Sequence, residues 1–150
     1  MKKNKKGFTL AELLIVVAII GVLVAISIPI FNNQLRKARL ATNQANARAA
    51  YAAWVAMFFD QGMPVRADST YYRYDATTGK IQYYGPTRAR NFGATVCTTE
   101  ISHPNTDISS WNTTTKVGVY YDLGSRVCKY WQIQVKNGKV IAYYAYTTPE

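Results

Sequence analysis

The 24 residues from Phe8 to Phe31 form an apolar run with a single charge, Glu12. As one helix that run is about 36 Å long, enough to cross a hydrocarbon core of about 30 Å. A chain of 150 residues with such a segment has room for one further compact domain. Lys2, Lys3, Lys5 and Lys6 precede the run, and Arg36, Lys37 and Arg39 follow it, a balance that favours an N-in orientation only slightly. A basic flank before an apolar run is also the layout of a secretory signal peptide. No small-residue A-x-A site follows, however; the chain continues as Ser27-Ile28-Pro29-Ile30-Phe31 and then a polar helical pattern. The run is therefore expected to stay on the protein as an anchor.

Glu12 is the anomaly. A carboxylate inside an apolar helix costs roughly 2.5–3.5 kcal/mol at the bilayer centre and less near an interface. One reading is that it snorkels to the headgroups one turn in. The other gives it a cationic partner. If the chain were cut after Gly7, the new α-amine of Phe8 would lie at (i, i+4) from Glu12, on the same helix face. That amine sits badly at the positive end of the helix dipole, and Glu12 would relieve it. In a bundle of such helices a neighbour's amine could serve instead. A charge satisfied only by a neighbour sets the axial register of packing.

The stretch Lys5-Lys6-Gly7-Phe8-Thr9-Leu10-Ala11-Glu12-Leu13-Leu14 resembles the prepilin motif of type IV pilins and their relatives. Ala11 departs mildly, standing where the family usually has a larger aliphatic residue. The resemblance covers residues 1 to about 31. It implies cleavage between Gly7 and Phe8 by a prepilin peptidase, N-methylation of Phe8, and a role for Glu12 in docking subunits into a filament. Gly21 and Pro29 both lie inside the helical stretch, where Gly costs about 1 kcal/mol against Ala and Pro removes a hydrogen bond. Membrane helices tolerate both, but the resemblance suggests more: the span between them can unwind in an assembled filament and make it extensible. The short basic leader and compact head resemble those of pilins from clostridia-like Gram-positive bacteria.

The helical pattern does not stop at Phe31. Leu35, Ala38, Thr42, Ala45, Ala49, Ala52, Ala56 and Phe59 recur at helical spacing as a nearly all-small stripe, on which a β-sheet could approach closely. Ala47, Tyr51, Trp54 and Phe58 make a second, aromatic stripe. Gln61-Gly62-Met63-Pro64 is a stop signal. Phe8 to Phe59 is thus expected to be one helix of about 78 Å. No domain of this size can bury that length, so its first half must protrude into lipid or other subunits.

Beyond the helix, Tyr71–Asp75 and Lys80–Tyr84 suggest a hairpin around Thr77-Thr78-Gly79. Lys116–Tyr121, Val127–Val135 and Lys139–Tyr146 suggest three strands. Asn137-Gly138 is a strong two-residue hairpin signal between the last two. That turn sets the expected register: Val135 with Val140, Ile133 with Ala142 and Trp131 with Tyr144, all six on one face that is the natural cover for the helix stripe. The expected fold is α+β: the type IV pilin fold, with a long N-terminal helix packed on a C-terminal antiparallel meander. Its parts are a cleaved leader over 1–7, an apolar transmembrane and filament-core helix over 8–31, and a head over 32–150 that includes helix 32–61.

Cys97 and Cys128 are the two cysteines. In an exported head they suggest one disulfide, closing a loop that would stabilise by about 3–4 kcal/mol in the chain-entropy model. Two buried thiols are the alternative. The cysteines lack metal-ligand spacing and there is one histidine, His103, before Pro104 in a loop pattern, so neither metal nor cofactor is expected. The eight acids are scattered, and no phosphate loop or nucleophile elbow occurs, so no enzyme is expected. Asn112-Thr113-Thr114 matches a glycosylation sequon, a triplet common by chance.

Without the four leader lysines, 14 of the 18 basic residues remain against 8 acidic ones. Arg66, Arg73, Arg88, Arg90, Arg126 and Lys129 are interleaved with tyrosines, a composition that suits DNA or an acidic polymer as well as a solubilising filament surface. The resemblance implies a structural pilus subunit: a single-pass precursor in the cell membrane with its N-terminus inside, then an extracellular homo-oligomeric filament. Its partners would be the prepilin peptidase, the assembly machinery and, outside, a host surface or DNA. Adhesion, surface motility or aggregation would follow. Two alternatives remain open: a type II secretion pseudopilin and a DNA-uptake pilin. Major pseudopilins carry a calcium site in the C-terminal loop region, and 136–149 here holds no Asp or Glu.

Overall fold

The structure is a computed structural model, and it describes residues 7–87, 100–101, 107–117 and 121–146. The chain divides into two compact units, Met1–Leu35 and Arg36–Glu150.

One helix, α1 (Leu10–Asp60), runs through Gly21 and Pro29 without a break. It has the length and composition to cross a membrane. In the first unit no described residue is buried, and Leu, Ile, Val and Phe from Phe8 to Phe31 are exposed throughout. The apolar area that ordinarily drives folding is therefore unspent within the subunit.

The second unit is built on the rest of α1. The helix ends as its sequence signal predicts. Gly62 adopts a left-handed φ of 57°, its N–H donates to the Phe59 carbonyl, and the Met63 N–H donates to the Phe58 carbonyl. This Schellman closure satisfies the last carbonyls, and Gly62 is the residue that makes it cheap.

β1 (Thr70–Asp75) and β2 (Lys80–Gly85) form the expected hairpin. Asp75 accepts from the Thr77 N–H at 2.8 Å and the Thr77 hydroxyl at 2.6 Å, and Gly79 takes φ 69°. Next come β3 (Glu100–Ile101), a 3-10 turn over Ile108–Ser110, β4 (Lys116–Val117) and β5 (Tyr121–Asp122). β6 (Tyr130–Lys136) and β7 (Lys139–Tyr146) close the chain's described part. The sheet order is β2-β1-β6-β7-β3 with every pair antiparallel, and β4 and β5 pair separately. The α+β pilin architecture holds: an apolar N-terminal helix continuing into a helix packed with an antiparallel sheet.

Three details differ from expectation. The segment 116–121 is not one strand of the main sheet: Lys116 pairs with Asp122 and Val117 with Tyr121. The β6–β7 register holds at Val135–Val140 but then shifts, with Gln134 opposite Ala142, Ile133 opposite Tyr143 and Trp131 opposite Ala145. Ile141 is the extra residue of a β-bulge, which reverses the facing of everything beyond it. Tyr143 and Ala145, rather than Ala142 and Tyr144, therefore join the core of Trp131, Ile133 and Val135. Finally, the small stripe does not meet the sheet. Ala38, Thr42, Ala45, Ala49, Ala52, Ala56 and Phe59 are all exposed, and the buried helix residues are Asn43, Ala47, Ala50 and Trp54. The aromatic stripe is nearer the mark, since Ala47 and Trp54 are buried and Phe58 packs against the core. The face was decided by polar anchoring at Asn43 and by the bulk of Trp54, which outweigh the close approach that alanines allow.

Trp111 stacks on Trp131 with centroids 5.9 Å apart, and Trp54 meets Tyr72 edge-on at 6.4 Å. Polar helix side chains hold the 107–128 region to this core. Gln44 donates to the carbonyls of Ile108 and Trp111, and Asn46 to that of Cys128. Gly124 fits where a Cβ would lie 2.7 Å from the Thr113 carbonyl oxygen.

Candidate functional site

Gly7, Phe8 and Thr9 precede the helix. Gly7 has open space around it, and Phe8 is 79% exposed. Thr9 is the N-cap: its carbonyl accepts from the Leu13 N–H at 3.2 Å. Its side chain and Glu12 form a reciprocal capping box. The Glu12 N–H donates to Thr9 Oγ1 at 3.3 Å, while Glu12 Oε2 accepts from the Thr9 N–H at 2.8 Å and from Thr9 Oγ1 at 2.6 Å. Two orphan donors of the helix start are thereby satisfied.

Both incoming bonds end on Oε2. In the uncut chain, where Phe8 carries a peptide nitrogen and no amine, Thr9 is the partner of Glu12, and Oε1 carries no hydrogen bond among the described residues. The local geometry thus fixes the carboxylate in direction while leaving it acceptor capacity. Thr9 was missed in the reading from sequence, although Thr9-Leu10-Ala11-Glu12 is a legible capping-box signature ahead of an apolar run.

Gly21 has no neighbour that a methyl group would meet. Eight residues on, Pro29 cannot donate to the Ala25 carbonyl, and the Ser27 hydroxyl turns back to the Leu23 carbonyl at 2.7 Å. The span between Gly21 and Pro29 is helical here, with a weakened hydrogen-bond ladder at its end.

Of the two cysteines, Cys128 is buried, and its N–H donates to Asn43 Oδ1 at 2.7 Å. Cys97 lies outside the described residues, as do His103, Arg88 and Arg90. The Arg66 carbonyl accepts from the Asn137 N–H at one end of β6, and Lys129 precedes β6 at the other, about 25 Å away along a strand. Arg73 lies over the Tyr84 ring, 5.8 Å from its centroid. Among the described residues no cluster of three or more metal-ligating side chains occurs.

An apolar helix with a capped, charge-bearing start, continuing into a helix packed with an antiparallel sheet, is consistent with the type IV pilin fold. Residues 2–28 match the family model described as the Prokaryotic N-terminal methylation motif. Over 40 residues the chain is 55% identical to the Type IV major fimbrial protein FimA of Dichelobacter nodosus. Over 41 residues it is 54% identical to a further protein of that name and to one called Fimbrial protein, both from the same organism. Each match covers 27% of this chain and 26% of the relative, so the likeness extends over about a quarter of either length. No solved structure matches the chain.

Proposed function

We propose that the chain is a structural subunit of a type IV pilus. The precursor is held in the membrane by residues 8–31, N-terminus inside, with 1–7 as its leader and 32–150 as its head. A prepilin peptidase cuts between Gly7 and Phe8, and the new Phe8 amine is methylated. Glu12 then pairs with the Phe8 amine of a neighbouring subunit, and this pair sets the register as helices stack. Burial of helix against helix supplies most of the energy. Weakened bonding between Gly21 and Pro29 lets the helix extend in the filament. Cys97 and Cys128 pair in the exported head. Adhesion, surface motility or aggregation follow from the filament.

The observation that carries this reading is the state of the helix start: a lone carboxylate with one oxygen unspent, at the head of an apolar helix that no part of its own subunit covers. The exposed alanine stripe on the head's helix also suits close approach by other helices. The cations at opposite ends of β6 suit a solubilising surface better than a single DNA-binding patch.

The test is Glu12→Ala in cells. Cleavage after Gly7 and membrane insertion should proceed as in the parent, while surface filaments are lost or sharply reduced. Normal piliation in that variant would remove the register argument.

A further inference from the structure

The head contains a cavity of about 500 Å³ between the helix and the β6–β7 turn, a size in the range of small-molecule sites. Its walls include Arg48, Tyr51, Trp54, Asp107, Lys139 and Tyr143. Nothing in filament assembly as described above uses it.

The polar groups around this cavity are unspent. Neither the Arg48 guanidinium nor the Lys139 ammonium has a hydrogen bond or an ion pair among the described residues. Asp107 Oδ1 accepts both the N–H and the hydroxyl of Ser109, which leaves Oδ2 open. Those Ser109 bonds are the main reason that the Asp107 carboxyl titrates below its usual range, with the charge of Arg48 adding to them. Trp54 is only 4% exposed, and its indole N–H has no partner among the described residues, a buried donor that native structures seldom leave orphaned. Burial, with Tyr51 beside it, pushes the Tyr143 hydroxyl up to about 12, so it stays a neutral donor. Tyr51 and Trp54 offer ring surface, their centroids 5.9 Å apart and tilted by 48°.

We propose that this cavity binds a sugar bearing a carboxylate, with the carboxylate on Arg48 and Lys139, ring hydroxyls on Asp107, and the apolar face of the sugar against Tyr51 and Trp54. Two cations and one carboxylate leave a single positive charge over, which matches one carboxylate on the ligand. A phosphodiester chain would bring more than one negative charge, and the charge beyond the first would be left facing Asp107. Aromatic walls with a few convergent polar groups are the usual composition of a specific small-ligand site.

The experiment follows the indole N–H resonances of the full chain in detergent micelles, with the Trp54 signal assigned by its loss in Trp54→Phe. Glucuronic acid should shift that signal saturably, and glucose at the same concentrations should not. Arg48→Gln and Lys139→Gln, both at exposed positions, should each weaken binding by about tenfold while the other indole signals stay in place. The proposal is overturned by no shift with glucuronic acid, by equal binding of glucose, by tighter binding of thymidine monophosphate, or by parent-like affinity in both variants.

Discussion

Asn43 is polar, fully buried, and bonded three times to backbone that would otherwise be orphaned. Its amide donates to the carbonyls of Leu123 at 2.9 Å and Arg126 at 2.7 Å, and its Oδ1 accepts from the Cys128 N–H at 2.7 Å. Truncation would strip partners from a buried loop, which costs more than the bonds themselves contribute. Asn43→Ala should lower the unfolding free energy by about 3 kcal/mol in a urea titration; a loss under about 1 kcal/mol would contradict this role. Pattern reasoning could not find Asn43, because a polar residue in a polar stretch of helix reads as solvent-facing. Its partners lie some 80 residues away, and nothing local marks them. Glu12 is the opposite case. A single charge in an apolar run is conspicuous at once, and its capping partner Thr9 stands three residues before it in a signature that can be read from sequence alone.

At the scale of elements, stop and turn signals were the legible part. Gly62 and Pro64 marked the end of α1, Gly79 the first hairpin and Asn137-Gly138 the second, because each position needs a backbone conformation that few residues adopt cheaply. The bulge at Ile141 carried no such mark. It decides that Tyr143 rather than Tyr144 joins the core cluster, and that choice depends on the whole packed layer rather than on the hairpin. The alanine stripe misled for a related reason: alanine fits a close contact and a solvent face equally well. Long-range polar ties were also hidden. Arg36 of α1 meets Asp122 of β5 at 3.0 Å and reaches the Thr113 carbonyl as well. Burial works to raise the Asp122 carboxyl, but the Arg36 hydrogen bond and charge outweigh it and hold it below the usual carboxylate range. A depressed carboxylate stabilises the fold above its unfolded pKa, and the gain is lost as pH falls through the folded value. Asp122→Asn should therefore cost about 1 kcal/mol at neutral pH, discounted for the partial exposure of the pair. The gap between variant and parent should close as pH drops below about 4. Denaturation midpoints across that range check it, and a gap that persists in acid would contradict it.

The whole molecule joins two materials. Residues 8–31 hold almost no charge and none of the chain's tyrosines or tryptophans, while all 12 tyrosines and all three tryptophans lie from Tyr51 onward. The head closes a core around its aromatic residues. The apolar helix closes nothing within its own subunit. The proposed function accounts for this contrast: the subunit would change surroundings, from lipid to a bundle of its own kind, with cleavage after Gly7 as the step between them. The most direct measurement is the intact mass and N-terminal sequence of the protein sheared from cell surfaces. A chain that begins at Phe8 with a single methyl group on its amine is the predicted result. An uncut chain that begins at Met1 and is found only in the membrane would contradict the account.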